Sequence, residues 1–137
     1  MKKLLVLIML GLLVVGGGIA TAADVSKGLT FQWEQAASDI PNLKEWGLYV
    51  MTSSGGAKSS PVVIPYTSGN GPFQAASSFT VTGNPGTTVR RYFVLDAVSK
   101  NNNRSGYSNE VFYDFQIPFS DVTKPMSLNV TVSVSTP

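Results

Sequence analysis

Leu29-Thr30-Phe31-Gln32-Trp33 alternates apolar and polar residues without a break. In an extended chain successive side chains point to opposite faces, so Leu29, Phe31 and Trp33 share one face and Thr30 and Gln32 the other. Three large apolar groups in that spacing predict one strand of a sheet whose inner face is buried. The same period of two recurs along the chain. Residues 46–52 read as a strand closed by Ser53-Ser54-Gly55-Gly56, and residues 61–66 as an edge strand flanked by two prolines. Residues 77–82 place Phe79 and Val81 on one face, before the turn Gly83-Asn84-Pro85-Gly86. Residues 91–99 read as a central strand with Phe93, Leu95 and Ala97 inward and Asp96 outward. Residues 109–117 form the next strand and 118–125 a connector. Leu128-Asn129-Val130-Thr131-Val132-Ser133-Val134 alternates for seven residues, the cleanest strand pattern in the chain. Short strands separated by turn chemistry at this interval predict an all-β antiparallel sandwich of about seven strands. Its expected core is Leu29, Phe31, Trp33, Leu48, Val50, Phe79, Val81, Phe93, Leu95 and Ala97.

Composition narrows the function. The chain has 137 residues, no cysteine and no histidine, so thiolate nucleophiles, histidine-based triads and ordinary zinc sites are excluded. No cofactor is expected. The start has the three parts of a secretory signal: Lys2 and Lys3, an uncharged apolar run over residues 4–15, and the small-residue step Ala20-Thr21-Ala22. Residues 1–22 are read as a signal peptide that is cleaved; a retained anchor is the alternative, opposed by Gly16-Gly17-Gly18 at mid-span. Lys2 and Lys3 depart with it, leaving 8 basic and 8 acidic residues from position 23 onward. A neutral chain lacks the electrostatic footprint of a nucleic-acid binder.

The order of these segments resembles a fibronectin type III domain of the bacterial extracellular kind, over residues 27–118. Leu29 to Trp33 is similar to the family's second strand, Glu45-Trp46-Gly47-Leu48-Tyr49-Val50 to its third, and residues 77–83 to its fifth. Pro85-Gly86-Thr87 resembles the turn before the sixth strand, residues 92–98 the sixth strand itself, and residues 105–111 the loop and last strand. The resemblance implies an immunoglobulin-like sandwich over 23–118, followed by a linker and C-terminal strand over 119–137. Asn84 stands where the family has leucine, and the family's corner tyrosine falls near Arg91, with Tyr92 placed to replace it by a shift of register.

The family's proline-rich first strand has no counterpart, since only residues 23–28 precede Leu29. Residues 124–132 resemble that strand instead. An empty edge invites pairing, and three arrangements follow: Leu128, Val130, Val132 and Val134 fold back into their own domain, enter a neighbouring copy as a donated strand, or form a free tail. For a return in the native direction, residues 118–125 reach about 26–29 Å when extended, a borderline span.

Chemistry-bearing residues are sparse. Asp96 and Glu110 lie near strands but in no catalytic motif, and both read as solvated face residues. The polar loop over residues 100–106 has the groups to meet sugar hydroxyls or merely to solvate a turn. Trp46, Tyr49, Tyr66, Tyr107 and Tyr113 offer either a stacking platform or cross-strand packing, and packing is the reading their spacing favours. Trp46, Tyr107 and Asn102 are the candidate ligand contacts; no catalytic or metal-binding residue is expected. The chain reads as an exported, non-enzymatic binding or structural module, secreted, at the cell surface or in the periplasm, with a protein or polysaccharide partner. It would meet the membrane only during export. The alternatives are a filament subunit assembled by strand donation and a periplasmic carbohydrate-binding or chaperone-like accessory.

Overall fold

The computed structural model describes residues 22–119 in full and, before them, the backbone of residues 5–9 and 14–15. The strands are β1 (Leu5–Met9), β2 (Val14–Val15), β3 (Ala23–Trp33), β4 (Leu43–Met51), β5 (Val62–Pro65), β6 (Phe73–Gly83), β7 (Thr88–Ser99) and β8 (Val111–Gln116). A single 3-10 turn, Ile40–Asn42, is the helical structure among the described residues. No helix there is long and apolar enough to cross a membrane.

The strands form two antiparallel sheets. In one, β3 lies between β6 and an edge made by β1 and β2; in the other the order is β5-β4-β7-β8. Their inner faces meet over a core containing Leu29, Phe31, Trp33, Leu48, Val81, Phe93 and Leu95, with Val50, Phe79 and Ala97 packed against it half-buried. The ring of Phe31 meets those of Phe93 at 5.1 Å and Phe79 at 5.9 Å. Burying a side chain of this size stabilises by roughly 1.5–3 kcal/mol, so period-two alternation on both sheets supplies the drive for closing the layers. The indole of Trp33 is buried within them, its Nε1 finding no acceptor among the described residues.

β3 begins at Ala23, six residues before the alternating stretch. It pairs with β6 without a bulge from Ala23↔Gly83 to Trp33↔Phe73. Residues 23–28 are therefore the first half of the second-strand segment, and β6 likewise starts at Phe73 instead of Ser77. The ladder overrides the poor strand propensity of Asp24, Ser26 and Gly28. The outer face of this pair is built of small polar groups. Asp24, Ser26, Gly28, Thr30 and Gln32 stand opposite Thr82, Thr80, Ser78, Ala76 and Gln74. The Ser26 and Thr80 hydroxyls share a 2.6 Å hydrogen bond, and Thr82 donates to Asp24 at 2.5 Å.

Along the other edge of β3, β1 pairs from Leu5↔Gln32 to Met9↔Gly28, and β2 from Val14↔Val25 to Val15↔Asp24. Both run antiparallel to β3. The candidate donor strand over residues 128–134 lies outside the described residues.

The outer face of the second sheet is covered where alternation alone leaves it bare. Tyr49, Met51 and Val94 form a second small buried cluster there, with Tyr92 packed against it. Tyr92 thus turns away from the main core and pairs with Phe112, rings 6.2 Å apart. It does not serve as a corner tyrosine, because its parity matches Val94 and not Phe93. The loop after β4 is fastened over this face by Glu110, whose carboxylate accepts from the Ser54 hydroxyl at 2.6 Å and the Gly55 N–H at 2.8 Å.

Candidate functional site

Two connections meet at the end of the sandwich where β3 finishes: residues 34–42, leading into β4, and residues 100–110, leading into β8. They are tied together by Lys100, whose backbone N–H donates to the Asn42 carbonyl at 2.8 Å and whose ammonium donates to the Pro41 carbonyl at 2.8 Å. Between them lies a cleft of about 270 Å³ lined by Gln35, Asp39, Asn42, Ser99, Asn103 and Arg104, among others.

Each wall is held from below. Gln35 is buried and accepts from the Trp46 indole N–H at 3.2 Å, while its amide donates to Asp39 at 2.6 Å. The core indole therefore positions an amide that in turn aims a carboxylate at the cleft. On the facing wall, Asn102 adopts φ 63°, a left-handed conformation that asparagine tolerates. This closes a tight turn in which Asn102 N–H donates to Ser99 O at 2.8 Å and Ser99 N–H to Asn103 O at 2.9 Å.

Arg104 joins the cleft to the outer face. Its Nη1 lies 3.0 Å from Asp96 Oδ2 and 2.6 Å from the Tyr49 hydroxyl, and that hydroxyl donates to Asp96 at 3.1 Å. Asp96 is only 3% exposed. It does point away from the main core, as alternation requires, but it is not solvated. Gly47 makes the room: a Cβ there would lie 2.7 Å from Asp96 Oδ1. Burial, the hydrogen bond to Asp96 and that residue's negative charge push the Tyr49 phenol up from its ordinary value. Glu110, the other carboxylate singled out in the sequence, is held below the usual range by the Ser54 hydroxyl and the Gly55 N–H.

The three predicted ligand contacts are not brought together. Trp46 is 3% exposed and packs against Phe73 at 4.7 Å and Trp33 at 5.1 Å, so it is a core residue that reaches the cleft only through Gln35. Its parity with Leu48 and Val50 carried that signal. Tyr66 and Tyr113 also pack on the core, as the packing reading of the aromatics expects. Asn102 accepts from Lys44 Nζ at 2.8 Å beside the cleft. Tyr107 lies on the outer face, 51% exposed, its ring edge-on to Tyr49 at 5.4 Å with Lys58 Nζ 4.5 Å above it. The 100–106 loop does contribute to the site, through Asn103, Arg104 and Ser105. Gln35, Ser38 and Asp39 were not singled out in the sequence, where nothing marks them apart from a polar loop.

Chemically the cleft offers amides, hydroxyls, one carboxylate and one guanidinium, a set that both donates and accepts hydrogen bonds, around apolar surface from Leu43, Ala97 and Val98. Among the described residues no group of three acidic side chains converges as a metal site would require. Comparison with known proteins finds no matching family model, no curated relative and no matching solved structure.

Proposed function

We propose that the chain is an exported, non-catalytic binding module that engages a polyhydroxylated partner, a polysaccharide before a protein, through the cleft between the 34–42 and 100–110 connections. One observation carries this reading: a cleft of about 270 Å³, polar groups set around an apolar floor, whose walls are fixed to the core through Gln35–Trp46 and to the second sheet through Arg104–Asp96. Preformed concave sites with a few well-placed polar groups are the usual form of ligand pockets, and fixed walls reduce the ordering cost of binding. The carboxylates nearest the cleft are engaged, Asp96 by Arg104 and Asp39 by Gln35.

Export is supported by the basic, apolar and small-residue stretches of residues 1–22 together with the position of Ala23. That residue is buried at the first rung of the β3–β6 ladder, so cleavage after Ala22 leaves this ladder whole. The order β5-β4-β7-β8 facing β3-β6 supports a fibronectin type III-like scaffold. Glycan-array screening of the processed protein, followed by titration calorimetry of Asp39→Ala and Asn103→Ala, tests the proposal. Binding lost in both variants and kept in Tyr107→Ala supports the cleft; silence across a broad array, or loss confined to Tyr107→Ala, overturns it.

A further inference from the structure

We propose that, once the leader is removed, the outer edge of β3 receives the C-terminal strand, residues 128–134, of a second copy, so that processed chains assemble head to tail. The inference rests on the export reading above.

The edge of β3 is built to receive a strand. It runs for 11 residues, contains neither proline nor bulge, and carries one basic side chain, Lys27. Such an edge invites pairing. It is taken by β1 and β2, both antiparallel to β3. Removing residues 1–22 strips that partner and leaves backbone donors and acceptors open along nearly the whole strand.

The two faces of β3 specify what replaces it. Inward lie Val25, Leu29, Phe31 and Trp33, all buried, with the half-buried Lys27 at the same parity opposite Phe79; outward lie Asp24, Ser26, Thr30 and Gln32. A strand beside them extends both faces only if it alternates apolar with small polar residues. The leader's apolar run, 4–15, is apolar on both faces. Residues 128–134 alternate: Leu128, Val130, Val132 and Val134 continue the core, while Asn129, Thr131 and Ser133 continue the hydroxyl-rich outer surface. Residues directly opposite share a face, so Asn129, Thr131 and Ser133 must stand across from even-numbered positions of β3.

Chain geometry selects a neighbour over self-insertion. The Ile117 N–H donates to Thr87 O and the Gly86 N–H to Ile117 O, both at 2.8 Å, beside the Gly83 rung that pairs with Ala23. The chain thus leaves β8 at the Ala23 end. An antiparallel strand that covers the large apolar groups Leu29, Phe31 and Trp33 starts at the Trp33 end, about 33 Å away at roughly 3.3 Å per residue. The nine steps from Phe119 to Leu128 span about 30–32 Å when fully stretched, before crossing between the sheets. A neighbour whose Trp33 end abuts this Ala23 end needs no such stretch. The contact is heterologous, each copy donating to the next.

The chain has no cysteine, so engineered pairs report cleanly. Thr30→Cys is combined in the exported full-length chain with Asn129→Cys, Thr131→Cys or Ser133→Cys in turn, and separately with Val130→Cys. Opposed antiparallel positions lie within disulfide reach. The expected result is a ladder of interchain disulfides with at least one even-face partner and none with Val130→Cys. Size-exclusion chromatography should show oligomers of the unmodified processed chain, lost in Val130→Asp/Val132→Asp. Intrachain disulfides, a ladder from a Ser78→Cys control on β6, or a processed chain that stays monomeric at high concentration would each overturn strand donation. Mass spectrometry of the exported protein separates the two readings. A mass starting at Ala23 with no oligomer refutes donation alone, and a retained leader refutes export and donation together.

Discussion

Removing Arg104 should cost far more than neutralising the group it faces. The Arg104–Asp96 pair is lopsided: 3.0 Å apart, with side-chain exposures of 47% and 2%. Two unit charges at that distance attract by about 5.5 kcal/mol at an effective dielectric near 20 and about 1.4 kcal/mol at the value of water. A half-exposed guanidinium places the pair between these limits, and the cost of burying the carboxylate offsets part of the gain. Arg104→Met leaves Asp96 buried with the Tyr49 hydroxyl as its remaining donor among the contacts described, an expected loss of about 2–3 kcal/mol. Asp96→Asn keeps the shape and releases a guanidinium that water can reach, an expected loss near 1 kcal/mol. The sharper outcome is the double variant. Adding Asp96→Asn to Arg104→Met removes the unpaired charge, so the double should be more stable than Arg104→Met alone. Urea unfolding followed by tryptophan fluorescence at neutral pH measures all three, and a domain this size turns 2–3 kcal/mol into roughly 10–20 °C of melting temperature. Equal losses in the single variants, or strictly additive losses in the double, would refute the reasoning.

Gly47→Ala brings a methyl against the Asp96 carboxylate, which Arg104 and Tyr49 prevent from moving aside; a loss of about 1–3 kcal/mol is expected, and unchanged urea stability would contradict it. Trp46→Phe should cost about 1 kcal/mol more than Trp33→Phe, because it strands the buried Gln35 carbonyl whereas Trp33 Nε1 has no described acceptor to lose; the reverse order in denaturant titrations would refute this. The raised Tyr49 phenol adds stability that is complete below its unfolded value near 10 and is lost as pH rises through the folded value. Alkaline unfolding should therefore flatten in Tyr49→Phe, and tyrosinate absorbance should show one phenol ionising late. The lowered Glu110 has the opposite sense: its contribution is present above the ordinary glutamate range and lost as pH falls through the folded value. Reduced protection of the Gly55 amide in acid, relative to its intrinsic exchange rate, and mimicked at neutral pH by Glu110→Gln, is the expected readout.

Parity was the part of the fold that could be read directly. Alternation at Leu29, Phe31 and Trp33 placed them inward, and the same rule placed Phe93 and Leu95. It also contained the answer for Trp46, which shares the parity of Leu48, and for Tyr92, which shares that of Val94. Both were obscured because aromatic residues serve equally in cores and at ligand surfaces. Strand beginnings were not legible, since Ala23 and Phe73 extend their strands only because each lies opposite the other's partner strand. The burial of Asp96 depends on cover from outside its own strand, by Arg104 from the following loop and Tyr49 from the neighbouring strand, so no local pattern announces it. The cleft was half visible. Its 100–106 wall reads in the sequence as a polar loop, but Gln35 and Asp39 acquire their roles from Trp46 and from each other.

The β3–β6 ladder joins residues far apart in sequence; the Ser26–Thr80 hydrogen bond alone spans 54 positions. Closing so large a loop demands chain entropy before any rung forms, and folds dominated by such distant pairings mature over milliseconds to seconds. A nascent chain with its first eighty residues made still lacks the last rungs of the ladder. On the proposed export route, such a chain stays threadable through a translocation pore while it is being delivered and acquires its layered form on the far side.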